Sequence, residues 1–472
     1  MVQYDAVDDG YFEKRGLRRY AGVWSLWALG VGAVISGDFF GWNFGLAAGG
    51  FGGLALATGV VIAMYLGLAF SIAEMTAALP HTGGAYSFAR SAMGPWGAFV
   101  TGLAENLEYV LTPAVIVVGM GGYLGAVFGT PGWAEPLWWA GAYGLFVGLN
   151  VAGVETTFRV TVVVTALALG VLVVFWVGAL PHFDLAQALD IAPDPGQGRW
   201  LPKGGVGVLA ALPFAIWFFL AIEQLPLAAE EAKQPQRDLP RGLVFGLLTL
   251  IVAAVLTLVL NSGIAPGAAA IGATDEPLFE GFKTIFGDGI GAKALALIAV
   301  TGLAASFHSI IFAYGRQIYS LSRAGYFPRV LSLTHARRKT PHVALVTGAL
   351  IGWVVAFLIR LAGPDHPVGA VLLNMAVFGA VIAYALQMAS FLLLRRRRPE
   401  LARPYRSPLG VPGAWIALVI SLVCLGALLV DPVYQKVLVV TALWYAAGLV
   451  YFGVYARHRL VYAPEEAVAE GV

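Results

Sequence analysis

The chain has 472 residues, 59% of them hydrophobic and only 12% charged, with a formal net charge of +2 and a mean hydropathy of +0.78. A soluble domain carries about twice that share of charge, so the composition excludes a soluble globular protein, and the loops offer no concentrated basic surface for nucleic acid. The single Cys424 sits in an apolar run, which excludes an internal disulfide.

Residues 1–20 are polar and charged, carry no cleavable signal segment, and read as a cytoplasmic N-terminal segment. Apolar runs of roughly 16–30 residues then predict twelve membrane spans. They lie near 21–49, 52–79, 95–128, 136–152, 158–180, 205–230, 241–264, 291–323, 342–361, 367–394, 411–430 and 434–456. Residues 21–394 form the membrane core, 395–457 hold a basic loop with spans 11 and 12, and 458–472 form a cytoplasmic tail.

Span 1 contains Gly30-Val31-Gly32-Ala33-Val34-Ile35-Ser36-Gly37-Asp38-Phe39-Phe40-Gly41-Trp42. A carboxylate at membrane depth is costly, and glycine permits non-helical backbone there only where protein or a water-filled cavity satisfies it. Ile35–Asp38 is therefore predicted as an unwound hinge between two half-helices. Span 3 places Thr101, Glu105, Glu108 and Thr112 on one helix face, which must look into the bundle. Gly83-Gly84 before it lacks Walker spacing and reads as a turn, not a phosphate loop. Span 6 echoes span 1: Pro213-Phe214-Ala215-Ile216-Trp217-Phe218-Phe219-Leu220-Ala221-Ile222-Glu223-Gln224-Leu225-Pro226 has an acid mid-span between two prolines. Interrupted spans 1 and 6 are what a five-helix inverted repeat produces, here over about 21–180 and 205–394, with a binding site between the breaks.

Lysine and arginine set the orientation. Of 29 such residues, 23 fall at the termini and the loops after even-numbered spans, including Arg395–Arg398 as a topological anchor, so both termini are expected in the cytoplasm.

Three motifs resemble the amino acid–polyamine–organocation transporter superfamily. They are the broken span Gly30–Gly41, Leu79-Pro80-His81-Thr82-Gly83-Gly84-Ala85-Tyr86 with Gly94-Pro95, and Glu231-Ala232-Lys233-Gln234-Pro235-Gln236-Arg237-Asp238-Leu239-Pro240-Arg241. Within it, Ser36–Asn43, Glu105–Pro113 and Phe219–Pro226 are similar to the ethanolamine permease branch. The resemblance implies an all-α membrane fold, a LeuT-like 5+5 inverted repeat with twelve transmembrane helices and with spans 1 and 6 broken. It also implies alternating access in a bacterial inner membrane and no cofactor.

The same resemblance nominates a substrate site at Ser36, Gly37, Asp38, Glu108, Trp217, Phe219 and Ala221. A half-helix N-terminus suits a substrate carboxylate, but Asp38 there would repel one and attract an ammonium. Two readings of Asp38 stand open, a cap of the second half-helix and a partner for a cation. Trp217 aligns with the aromatic residue that covers substrate in relatives, and its ring face suits an ammonium. Glu223 matches an acid that carries a proton in proton-coupled relatives. Ser306 and Ser309 share a face of span 8 and offer oxygens to a sodium ion, or hydrogen-bond between helices. His308 reads as a packed histidine, and Arg316, Arg323 and Arg237 as gate or anchor residues. The expected function is a secondary transporter of a small primary amine, ethanolamine first, coupled to a proton or sodium. The alternatives are an amino acid permease and, remotely, a non-transporting substrate sensor. No metal-ligand cluster or activated nucleophile points to an enzyme.

Overall fold

In lipid every backbone N–H and C=O needs an internal partner, and apolar runs of this length meet that need as helices. The computed structural model describes residues 2–7, 9–274, 276–287, 292–362, 368–430 and 432–462. The tail from residue 463, Asp275, Asp288 and the side chains of Lys293, Asn374 and Lys436 lie outside the described set.

Span 1 comprises Val23–Val34, a helical turn Ser36–Phe39, and a piece that restarts at Phe44. At Gly50 the chain turns into span 2, with a φ of 72° that glycine alone adopts freely, and span 2 ends at Ala78. Span 3 lies in Gly84–Phe128, kinked at Gly94. Spans 4, 5 and 7 are Glu135–Ala152, Val154–Ala179 and Pro235–Ser262. Span 6 runs as helix over Gly204–Ile216 and resumes as a 3-10 helix over Ile222–Glu231. Spans 8 to 12 are Ala292–Arg323, His342–Ala362, Val368–Arg397, Gly410–Val430 and Pro432–Val454. Among the described residues, eight helices are each long and apolar enough to cross a membrane, while the cut spans 1 and 6 supply the shorter Val23–Phe39 and Gly204–Ile216.

Span 7 packs on spans 1 and 2, and span 2 on the first half of span 6; spans 8 and 10 pack on span 3, while span 1 also meets spans 5 and 8 and span 2 meets span 11. The two isolated β-bridges, Tyr4 with Leu460 and Ala21 with Ala232, lie on the face that carries the arginine-rich loops, called here the basic face.

The interruption of span 1 falls later than the sequence suggests. Ile35 is near-helical (φ −57°, ψ −24°), and Ser36–Phe39 completes a turn of helix. The chain leaves the helix at Phe40, which is extended, and at Gly41, whose φ is 94°. Asn43 makes this possible. Its Oδ1 accepts the Gly41 N–H at 3.1 Å, and its Nδ2 donates to the carbonyls of Ile271 and Thr274 at 2.8 and 2.7 Å. The span 6 break turns on Ala221, a left-handed residue without glycine's freedom (φ 82°), at a cost of about 1–2 kcal/mol.

Candidate functional site

The two breaks meet backbone to backbone. Gly37 lies so close to Trp217 that a Cβ would come within 1.9 Å of its carbonyl oxygen, and Gly41 faces the Trp217 ring. The Trp217 ring, 7% exposed, sits 6.3 Å from Phe40. Phe218 stacks on Trp42 at 5.4 Å and Phe219 leans on Tyr65 of span 2 at 5.1 Å. Small residues let these polar turns approach closely, as in other membrane helix contacts.

Span 8 ties the first break. Ser306 Oγ accepts the Ser36 N–H at 3.0 Å and donates to the Gly32 carbonyl at 3.0 Å. Ser309 is buried beside Gly32 and its hydroxyl makes no hydrogen bond. Thr165 of span 5 completes the group, donating to the Ala28 carbonyl at 3.0 Å. Thus the interhelical bonding read for Ser306 is present, and Ser309 keeps free oxygen lone pairs next to it. His308 is packed: Nε2 lies 3.1 Å from the Thr157 carbonyl and Nδ1 3.2 Å from Asn150 Nδ2.

Asp38 is fully buried, and neither carboxyl oxygen has a hydrogen bond. The helix that restarts at Phe44 has no side-chain cap and Asp38 makes no hydrogen bond, so the capping bond expected of Asp38 is not made. Its polar neighbour is Thr257 of span 7, whose hydroxyl accepts the Trp176 Nε1–H at 3.1 Å.

The span 3 stripe faces inward as expected, with Thr101, Glu105, Glu108 and Thr112 all buried. Glu105 accepts Gln317 Nε2–H at 2.7 Å. Glu223 of the span 6 break is buried as well, and neither Glu108 nor Glu223 has a hydrogen bond to a carboxyl oxygen. Tyr65 Oη donates to Tyr384 Oη of span 10 at 2.9 Å. No sequence pattern points to Tyr65 and Tyr384, which lie 319 residues apart.

The positive charges sit elsewhere. Arg316 and Glu231, both fully buried, form a bidentate pair at 2.7 and 3.0 Å, and Arg316 lies over Phe312. Arg323 clasps Glu230 at 2.7 and 2.9 Å. Arg316 and Arg323 are thus held in buried ion pairs, while Arg237 is exposed. His81 joins them: the Gly83 N–H donates to its Nδ1 at 2.9 Å and Arg323 Nη2 lies 3.0 Å from its Nε2. Burial, then the Arg323 charge, pull its pKa down to about 3. The N-terminal segment crosses this layer: the Tyr20 and Ala21 N–H groups donate to the Glu231 carbonyl at 2.7 and 2.9 Å, and Tyr11 Oη to the Arg323 carbonyl at 2.8 Å. Among the described residues, no lysine or arginine pairs with Asp38, Glu105, Glu108 or Glu223.

Comparison with known proteins agrees with this arrangement. The family profile described as amino acid permease matches residues 22–455. An uncharacterized transporter of Rhizobium meliloti is 30% identical over 83% of both chains. The branched-chain amino acid permease BcaP of Bacillus subtilis is 27% identical over 94% of both. The methylthioribose transporter of the same species is 24% identical over 95% of this chain and 96% of its own. With its broken spans and this coverage, the chain belongs to the amino acid permease family of the amino acid–polyamine–organocation superfamily, a family of multi-pass membrane transporters.

Proposed function

We propose that this permease imports a small primary amine, ethanolamine first, across a bacterial inner membrane by alternating access coupled to a proton, with both termini in the cytoplasm. One observation carries the reading: the core buries Asp38, Glu105, Glu108 and Glu223 without a basic partner, while the buried arginines Arg316 and Arg323 are held by Glu231 and Glu230 at the basic face. Buried charge without a partner is expensive, so protons or a cationic substrate must supply the balance. The ammonium sits among Asp38, Glu108 and Trp217, whose ring face contributes about 0.5–2 kcal/mol, and Glu223 carries the coupled proton. Ser36, Gly37, Phe219 and Ala221 shape the breaks around it. Spans 1, 2, 6 and 7 rock against the spans that pack on span 3. Ser306 and Ser309 provide the oxygens for a sodium ion if the coupling ion is sodium.

A second reading, an amino acid permease, is favoured by relatives named for branched-chain amino acids and for D-serine, D-alanine and glycine. Uptake of labelled ethanolamine into proteoliposomes separates the two, with choline, alanine, lysine and putrescine as competitors and with imposed proton or sodium gradients. The amine reading expects ethanolamine uptake that alanine does not suppress. Strong competition by alanine without ethanolamine uptake would overturn it. Asp38→Asn should weaken amine binding at least tenfold, about 1.4 kcal/mol, in a protein that still unfolds at the wild-type temperature; unchanged affinity would remove Asp38 from the site.

A further inference from the structure

We propose that the crevice between spans 10 and 11 on the basic face is a binding site for an anionic phospholipid, which sets its phosphate on Arg396 and lays its acyl chain along the crevice. Such a site serves a carrier of amines or of amino acids alike, so it does not depend on the substrate proposed above.

The crevice follows from how span 10 ends. The helix Val368–Arg397 runs out of its apolar stretch into Arg395-Arg396-Arg397-Arg398, and the chain re-enters the membrane as Gly410–Val430. Between the two helices lies a groove of about 570 Å³. Leu392 and Leu393 form one wall, Val411 and Trp415 the other, and Arg395 and Arg396 stand at its basic end. Trp415 is 53% exposed and Val411 40%, so the groove opens sideways to lipid, not into the bundle. An apolar groove at that level excludes water, and hydrocarbon fills it. The basic end then decides which headgroup that hydrocarbon carries.

The charges there do not cancel. Residues 395–406 hold six arginines and a single acid, Glu400. Arg395 is committed to the buried Glu74 of span 2 through two bonds of 2.7 and 2.5 Å. Arg403 reaches the same carboxylate at 3.1 Å, and Arg398 takes Glu400 at 2.9 Å. Arg397 donates to the Ala92 carbonyl at 3.0 Å. Among the described residues, the exposed Arg396 has neither a hydrogen bond nor an ion pair. Its planar fork suits two phosphate oxygens at once. A tryptophan in the same groove marks the level at which headgroups lie, and basic pockets between membrane helices select acidic headgroups. A zwitterionic headgroup brings its own cation beside Arg396 and gains less. The site is also held in place before a lipid arrives, because Glu74 accepts the Ser407 N–H at 2.8 Å and so fixes the loop to span 2.

A topological anchor needs positive charge on this side and no particular groove, so filling the groove separates the two roles. Native mass spectrometry of the full chain, purified with equal amounts of phosphatidylglycerol and phosphatidylcholine, counts the lipid each variant retains. Wild type should keep phosphatidylglycerol in preference. Arg396→Gln should lower its retention about fivefold, the factor equivalent to about 1 kcal/mol for one basic residue near an anionic headgroup, and leave phosphatidylcholine unchanged. Ala389→Phe fills the groove from the span 10 side and keeps every arginine; it should lower phosphatidylglycerol retention as well. Arg337→Gln removes an exposed arginine from another loop of the basic face and should change nothing. Equal retention of the two lipids by wild type, an equal loss in Arg337→Gln and Arg396→Gln, or full retention in a folded Ala389→Phe would overturn the proposal and leave the run an anchor. Displacement of the lipid by inorganic phosphate would also overturn it, in favour of a free-phosphate site. Thermal unfolding checks both groove variants, and Arg396→Gln, which breaks no bond, carries the test alone should Ala389→Phe not fold.

Discussion

Replacing Gly37 by alanine tests whether the site depends on the backbones of spans 1 and 6 touching. A Cβ at position 37 would lie 1.9 Å from the Trp217 carbonyl oxygen and 2.8 Å from its carbon, whereas ordinary contact begins at 3.4 Å. The breaks must therefore separate by roughly 1.5 Å, and the obstacle is backbone, which cannot rotate aside as a side chain can. Overpacking of this kind costs about 1–3 kcal/mol. A displacement near 1 Å at a reacting centre costs on the order of a hundredfold in rate. Applied to binding groups on both sides of the break, this gives an affinity loss of roughly ten- to a hundredfold, or about 1.4–2.8 kcal/mol. Equilibrium binding of labelled amine to purified protein in nanodiscs measures it, with thermal unfolding as the check on folding. Gly59→Ala on span 2, where an added Cβ meets nothing within 4 Å, should leave binding unchanged. Wild-type affinity and wild-type unfolding temperature in Gly37→Ala would refute the reasoning.

At the basic face, Arg316→Met leaves the buried Glu231 carboxylate uncompensated and should destabilise the protein by about 3–5 kcal/mol, whereas Arg316→Met combined with Glu231→Leu should recover most of that loss. Unfolding in detergent measures both, and equal losses would show that the pair is not an energetic unit. His81 predicts a pH effect. Its folded pKa of about 3 lies below the ordinary 6.5, so the unfolded chain binds the extra proton first and stability falls as pH drops from about 6.5 toward 3. His81→Asn should flatten that part of the unfolding profile; the same slope in wild type and variant would place the acid sensitivity elsewhere.

The spans were legible because apolar run length and helix length are one quantity in a bilayer, and predicted and observed ends agree closely over Val154–Ala179 and His342–Ala362. The acid stripe of span 3 was legible from helical spacing alone. The break of span 1 was misplaced by a few residues, since Ser36-Gly37-Asp38 looks less helical than it is and the unwinding needed Gly41 together with the Asn43 bonds to Ile271 and Thr274. Those partners lie 228 and 231 residues away, beyond any local pattern. Thr165, Tyr65 and Tyr384 escaped notice for a related reason: lone hydroxyls in apolar helices carry no periodic signal, and only the packing turns them into hydrogen-bond partners.

The acids without resident counter-charges also bear on membrane voltage. An elementary charge crossing 100 mV exchanges about 2.3 kcal/mol with the field. Under the proposed function, a carrier loaded with a cation or a proton enters that field with its core nearly balanced. The empty carrier keeps whatever negative charge its protons leave uncovered, so it is the unloaded half of the cycle that feels the potential. A negative interior then drives the vacant core back toward the outside, and turnover at saturating substrate, rather than affinity, becomes the quantity that voltage controls.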